Sequence, residues 1–378
     1  MAGVLPFVSD EVDLNGVFGL SINHRPPDAS PYDPFVALEA NSWTFSTLAS
    51  AINIGLEILE TPWGRAALQE LGYRVVEGWE ASQTHRFGGD VRHMPFYVDH
   101  FLAAVRSDFP MVMVTGISGG NIDILAEAKR WPRATCQWDG NLADYRPKLA
   151  GGIKYQYSRV ADMAEAAADG SARMGRRHRR FQFMFGCATA HELCHAFVGY
   201  LAQGDSDDYS RYTPPNVNYL NYAQGNRGVW EEDDEQDRIQ PGESGRWFER
   251  QLFGGSLEFY RDINDDEGQT GIPHLVDDNG VSWRIDPDCI DQLVGNPRRY
   301  RFPFLRVGPG MSADQLRARG LRSMGWGQPE NPQPGRRLLM RARQDPSHCL
   351  TYDVSRDELR DIAWRPSRIR AARLVRDF

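Results

Sequence analysis

Residues 181–202, FQFMFGCATAHELCHAFVGYLA, limit the fold more than any other stretch of the chain. They contain no proline and are apolar for most of their length, interrupted by His191, Glu192 and His195. A run of this kind reads as a helix. On a helix, positions i and i+4 stand one above the other, so the imidazoles of His191 and His195 can reach a single ion about 2 Å from each. Glu192 lies roughly 100° around the axis from His191, where it can hold a water beside that ion without becoming a ligand. Setting three ionisable side chains in an apolar helix is costly unless a metal or paired partners compensate them. A metal centre therefore accounts for the pattern better than a satisfied polar core does.

The remaining composition leaves room for a large core: 378 residues, 41% hydrophobic and 25% charged, proportions that suit a globular protein of two domains or two lobes. The net charge of −8 argues against a nucleic acid as the main partner. No apolar run reaches the roughly 18 to 20 residues of a membrane span; the best, 43–59, is broken by Ser46, Ser50, Asn53 and Glu57. The opening MAGVLPFVSDEVD has neither the basic region nor the apolar segment of an export signal. The expectation is a cytoplasmic protein with no membrane partner; oligomeric state stays open. Five cysteines (136, 187, 194, 289 and 349) are dispersed without a CxxC pair, as free thiols would be. Cys194, between the two histidines, reads as a small thiol filling buried space.

Along the chain, 42–59 has helical spacing, and Thr61-Pro62 starts a second helix expected to end at Gly72. Residues 73–79 and 111–115 read as strands. In 151–160, GGIKYQYSRV, apolar Ile153, Tyr155 and Tyr157 alternate with Lys154, Gln156 and Ser158, the pattern of a half-exposed strand at a sheet margin. A helix at 160–168, an arginine-rich connection at 173–180 and the HELCH helix follow. The RRHRR run in that connection reads as a solvated face. Residues 204–242, with the acidic cluster EEDDEQD, are expected to form a long surface loop bordering a site. Ser312 with Gln315, and Ser355 with Glu358, mark two capped helices. The arginine-rich tail carries no assignable role.

With its HExxH motif on an apolar helix, the chain resembles the zincin superfamily of metallopeptidases. Val198 and Gly199 place glycine one position too late for the metzincin branch, and Leu201, Ala202 and Gln203 offer no third histidine. Glutamate-type zincins take their third ligand from a second helix downstream, and 242–262, GESGRWFERQLFGGSLEFYRD, is where to look. Glu243, followed by small Ser244 and Gly245, is the favoured ligand. Glu249 is about 120° away on the same helix, and Glu258 forms an ExxxD spacing with Asp262 beyond a Gly254-Gly255 turn.

The resemblance implies an α+β, zincin-like fold: an N-terminal lobe, 1–203, with a mixed sheet ending in the active-site helix, a cleft, and a mostly helical C-terminal lobe, 204–378. It implies Zn2+ held by His191, His195 and Glu243, with Glu192 activating a water against an amide carbonyl. The substrate would be a peptide or small amide, and such enzymes tend to bind extended substrate along a sheet margin, for which the strand at 153–158 is the candidate. Tyr212, Tyr219, Tyr222 and His274 are candidates for stabilising the oxyanion.

Two other classes compete. MVMVTGISGG, 111–120, followed by NIDILAEAKRW, has the strand, GxSxG, helix layout of a nucleophile elbow, which would make Ser118 the nucleophile of a serine hydrolase. With glycine common in this chain, the stretch reads more simply as a glycine-rich strand-to-helix turn, and a serine hydrolase leaves HELCH unexplained. The third class is a zincin-derived non-peptidase (a small-molecule amide hydrolase, lyase or cyclase) or a binding protein.

Overall fold

The computed structural model describes residues 17–323, apart from 18–19, 31–32, 83–86, 118–124, 132–137, 205–243 and 267. Strands β1 (Ile22–His24) and β2 (Val36–Ala37) lead into helices α1 (Trp43–Glu60), α2 (Pro62–Ser82) and α3 (Met94–Ser107). Ser42 caps α1 by accepting the Phe45 N–H at 3.2 Å. Thr61 ends it, its hydroxyl accepting the Gly64 N–H at 2.9 Å in the first turn of α2. α2 continues well past Gly72. Residues 73–79, expected as a strand, are helical because Leu68, Leu71, Val75 and Trp79 keep one buried face through the glycine.

Strands β3 (Met111–Thr115) and β4 (Ala126–Arg130), the one-turn helix α4 (Pro147–Ala150) and strand β5 (Gly151–Gln156) complete the first sheet. Its order is β2-β1-β3-β5-β4, with β1, β3 and β5 parallel and β2 and β4 antiparallel to their neighbours. The alternating segment therefore lies inside the sheet, between β3 and β4, and not at its margin. Its polar positions are used within the fold: Gln156 accepts the Ile117 N–H at 3.3 Å and Lys154 reaches Glu127 across β4 at 3.8 Å. β4 occupies the margin.

Helix α5 (Tyr157–Ala168) precedes α6 (Ala172–Leu201), the long helix that carries HELCH. α6 begins earlier than its apolar run, capped by Ser171, so the arginine-rich 173–180 is its first two turns and not a connection. Arg173 and Arg177 pair there with Asp265 and Asp266, and Arg179 with Asp291. α6 packs along α1, where Gln182 donates to the Thr47 carbonyl at 2.9 Å, and against β5, where the Tyr155 and Thr189 hydroxyls meet at 2.8 Å.

The described part of the C-terminal half is not mostly helical. Helix α7 (Ser244–Phe253) ends at Gly254, whose φ of 90° turns the chain into strand β6 (Ser256–Arg261). β7 (Ile272–Val276), β8 (Ser282–Ile285), helix α8 (Pro287–Gly295), β9 (Arg306–Met311), helix α9 (Ala313–Ala318) and β10 (Arg322–Ser323) follow. The strands form an antiparallel sheet in the order β10-β6-β7-β8-β9. Short strands of mixed polarity hide this sheet from a reading based on helical spacing. The Ser312 capping box opens α9 as expected, while Ser355 and Glu358 lie outside the described residues. The whole is α+β. Among the described residues no helix is long and apolar enough to cross a membrane, and Cys187, Cys194 and Cys289 are free and buried.

Candidate metal centre

His191 and His195 stand one turn apart on α6, their ring centroids 5.3 Å apart and their planes at 57°. Two imidazoles that grip one ion through Nε2 at tetrahedral geometry have centroids about 5 Å apart, a separation that this pair meets. The orientation of His191 is set from a second helix. Its Nδ1 is 2.8 Å from Oε1 of Glu249 on α7. Burial alone would raise the Glu249 carboxyl, but Arg246, His191 and the Leu257 amide together hold it below the usual carboxylate range. An ionised carboxylate can only accept, so Nδ1 carries the hydrogen and, in the neutral ring, Nε2 carries the lone pair.

Gly245, one helical turn before Glu249, permits this approach. A Cβ there would lie 2.5, 2.4 and 2.4 Å from Cγ, Cδ2 and Nε2 of His191. A point equally distant from three ring atoms lies on the axis through the ring, so the Gly245 backbone covers the flat face of the imidazole and not its edge.

Glu192 is buried, and its Oε2 accepts the backbone N–H of Ala128 on β4 at 2.6 Å. Two residues along the same strand, Arg130 donates to the His195 carbonyl at 3.1 Å. The marginal strand is thus tied to the HELCH helix at the Glu192 side chain and at the backbone of His195. Cys194 is fully buried and donates its thiol hydrogen to the Ala190 carbonyl at 3.2 Å, as a space-filling residue does.

The three candidate third ligands separate. Glu243 lies outside the described residues. Glu249 reaches His191 at Nδ1, a contact that orients the ring; its Oε2 meanwhile accepts from Arg246 at 2.9 Å and from the Leu257 amide at 2.8 Å. Glu258 sits on β6 and not on a helix, 3.3 Å from Arg246, so its ExxxD spacing with Asp262 does not form one helix face. Among the described residues no group of three His, Cys, Asp or Glu side chains converges to hold a metal ion.

Of the oxyanion candidates, Tyr212, Tyr219 and Tyr222 lie outside the described residues. His274 is buried on β7, its Nδ1 donating to the Ile272 carbonyl at 2.9 Å and its ring edge-on to Tyr260. Ser118 also lies outside them, but 126–130, needed as helix for a nucleophile elbow, is strand β4. Ala128, Arg130, Gly245 and Arg246 have no place in the motif and enter the site through tertiary contact. A signal for the Gly245 and Glu249 pair does exist, since the i, i+4 spacing puts both on one face of α7.

No family model, curated protein or solved structure matches the chain.

Proposed function

We propose that the chain is a zinc-dependent hydrolase, a metallopeptidase that cleaves an amide bond with Glu192 as general base. The observation that carries this reading is the anchoring of His191 Nδ1 by an ionised, buried Glu249, with the His195 ring 5.3 Å away on the same helix face. Carboxylate support on the far nitrogen is the arrangement that turns Nε2 toward a metal.

His191 and His195 are the two ligands in this reading, and Glu243 remains the proposed third. It stands two residues before Gly245 in the sequence, and Gly245 packs against the His191 ring. Zinc, when bound, supplies Lewis acidity and lowers the pKa of a coordinated water toward about 7. Glu192 accepts a proton from the attacking water and returns it to the leaving nitrogen. The substrate-binding margin in this reading is β4 and not the segment 153–158. Gln156 N–H to Leu125 O and Trp131 N–H to Ala150 O, both at 3.0 Å, assign the odd-numbered residues to the β5 ladder. The backbone groups of Ala126, Ala128 and Arg130 therefore face outward, where an extended peptide can pair.

Metal analysis of the purified protein tests the reading directly, with near-stoichiometric zinc as the expected result. Glu192→Gln is expected to retain that zinc while turnover of a mixed peptide pool falls by roughly 10²- to 10⁴-fold. Absence of zinc from both native and zinc-supplemented protein would refute the proposal. Loss of activity in Ser118→Ala with none in Glu192→Gln would transfer it to the serine.

A further inference from the structure

Resting on that reading, we infer that the Ala128 amide is a clasp on Glu192, released when an extended peptide pairs with β4, so that strand-forming substrates are favoured over small isolated amides. The outward N–H of Ala128 is the donor that the backbone carbonyl of an added strand needs, and Glu192 Oε2 takes it at 2.6 Å. One N–H cannot serve both acceptors with good geometry, so substrate pairing and the clasp compete.

The strengths of the competing bonds set a length requirement. A hydrogen bond to an ionised carboxylate is roughly twice as strong as one between neutral groups, so a single substrate carbonyl does not displace Glu192. A strand that also pairs at Ala126 and Arg130, two residues to either side, gains further ladder bonds and can do so. Freed from β4, the carboxylate gains the mobility to carry a proton between the attacking water and the leaving nitrogen. Arg130 is held to the His195 carbonyl at 3.1 Å, which keeps β4 in place beside α6 while the clasp opens. A short amide that occupies only the metal-proximal position leaves Glu192 clasped.

Amide hydrogen exchange of metal-free protein reads the clasp first. In Glu192→Ala the Ala128 amide is expected to exchange at least tenfold faster than in wild type, with the ladder amides of Glu127 and Lys129 unchanged; equal exchange at Ala128 overturns the clasp. Release is read in zinc-loaded protein with two probes, a random dipeptide pool and a random hexapeptide pool. Ala128→Pro deletes the N–H at an outward-facing edge position, where proline is tolerated. It should lower the hexapeptide-to-dipeptide ratio of kcat/KM at least tenfold, chiefly by raising dipeptide cleavage. An unchanged ratio, or an equal fall for both pools, overturns release. A misfolded proline variant leaves the wild-type ratio, expected above a hundred, to decide, and a ratio near one is then the contrary result. Because the exchange measurement needs neither zinc nor turnover, a missing clasp and a failed hydrolase reading give different outcomes.

Discussion

The carboxylate of Glu249 reaches from α7 to Nδ1 of His191 on α6, 2.8 Å away, while Arg246 and the Leu257 amide hold its other oxygen. This contact joins the HELCH helix to the first element after 205–243 and sets how the first imidazole is turned. In Glu249→Ala the ring loses its orienting partner but keeps its nitrogens. Zinc affinity, measured by competition with a chromophoric chelator, is expected to fall about 10- to 100-fold, whereas His191→Ala should abolish stoichiometric binding. Unaltered affinity in Glu249→Ala would mean that the carboxylate only balances the charge of Arg246.

Gly245→Ala separates helix propensity from local space. At an open helical position this change stabilises by about 1 kcal/mol. Here the new methyl would lie 2.4 Å from His191 ring atoms, so either the ring or α7 must move. Denaturant melts are expected to show a net loss of about 1–3 kcal/mol, together with weaker zinc binding. A stabilised variant with unchanged affinity would show that the two helices separate easily.

The third ligand is decided by comparing Glu243→Ala with Glu258→Ala. Removal of Glu243 should reduce zinc to sub-stoichiometric levels after dialysis. Removal of Glu258, a buried strand residue paired with Arg246 at 3.3 Å, should leave zinc in place and lower stability by about 1–3 kcal/mol through the partly buried guanidinium. The reverse pattern of metal loss would move the ligand to β6.

His178 carries a pH dependence unrelated to the metal. It is fully buried on α6, its Nε2 3.1 Å from Gln182 Nε2, and burial, aided by Arg179, lowers its pKa from 6.5 to about 3. The folded ring stays neutral, while the unfolded one takes up a proton below pH 6.5. The stability it contributes is therefore complete above pH 6.5 and is lost as pH falls toward 3, by up to about 1.4 kcal/mol per pH unit. His178→Leu should flatten the stability profile between pH 6 and 4 by that slope. Parallel profiles for the two proteins would place the titration elsewhere.

What the sequence by itself determined is local. The HELCH helix, the same-face placement of His191 and His195, the Ser312 cap and the Thr61-Pro62 helix start all follow from spacing within a few residues, which backbone geometry fixes wherever the segment sits. Even locally, 73–79 reads as a strand, whereas packing of Leu71 and Trp79 on the same face as Leu68 keeps α2 intact. Only the tertiary structure decided which strand forms the sheet margin, that β4 ties down Glu192 through Ala128, and that Glu249 turns His191 while Gly245 leaves it room. Those relationships join residues about sixty positions apart, and strand order and helix contact depend on which surfaces the whole chain buries together, a choice that no single segment encodes.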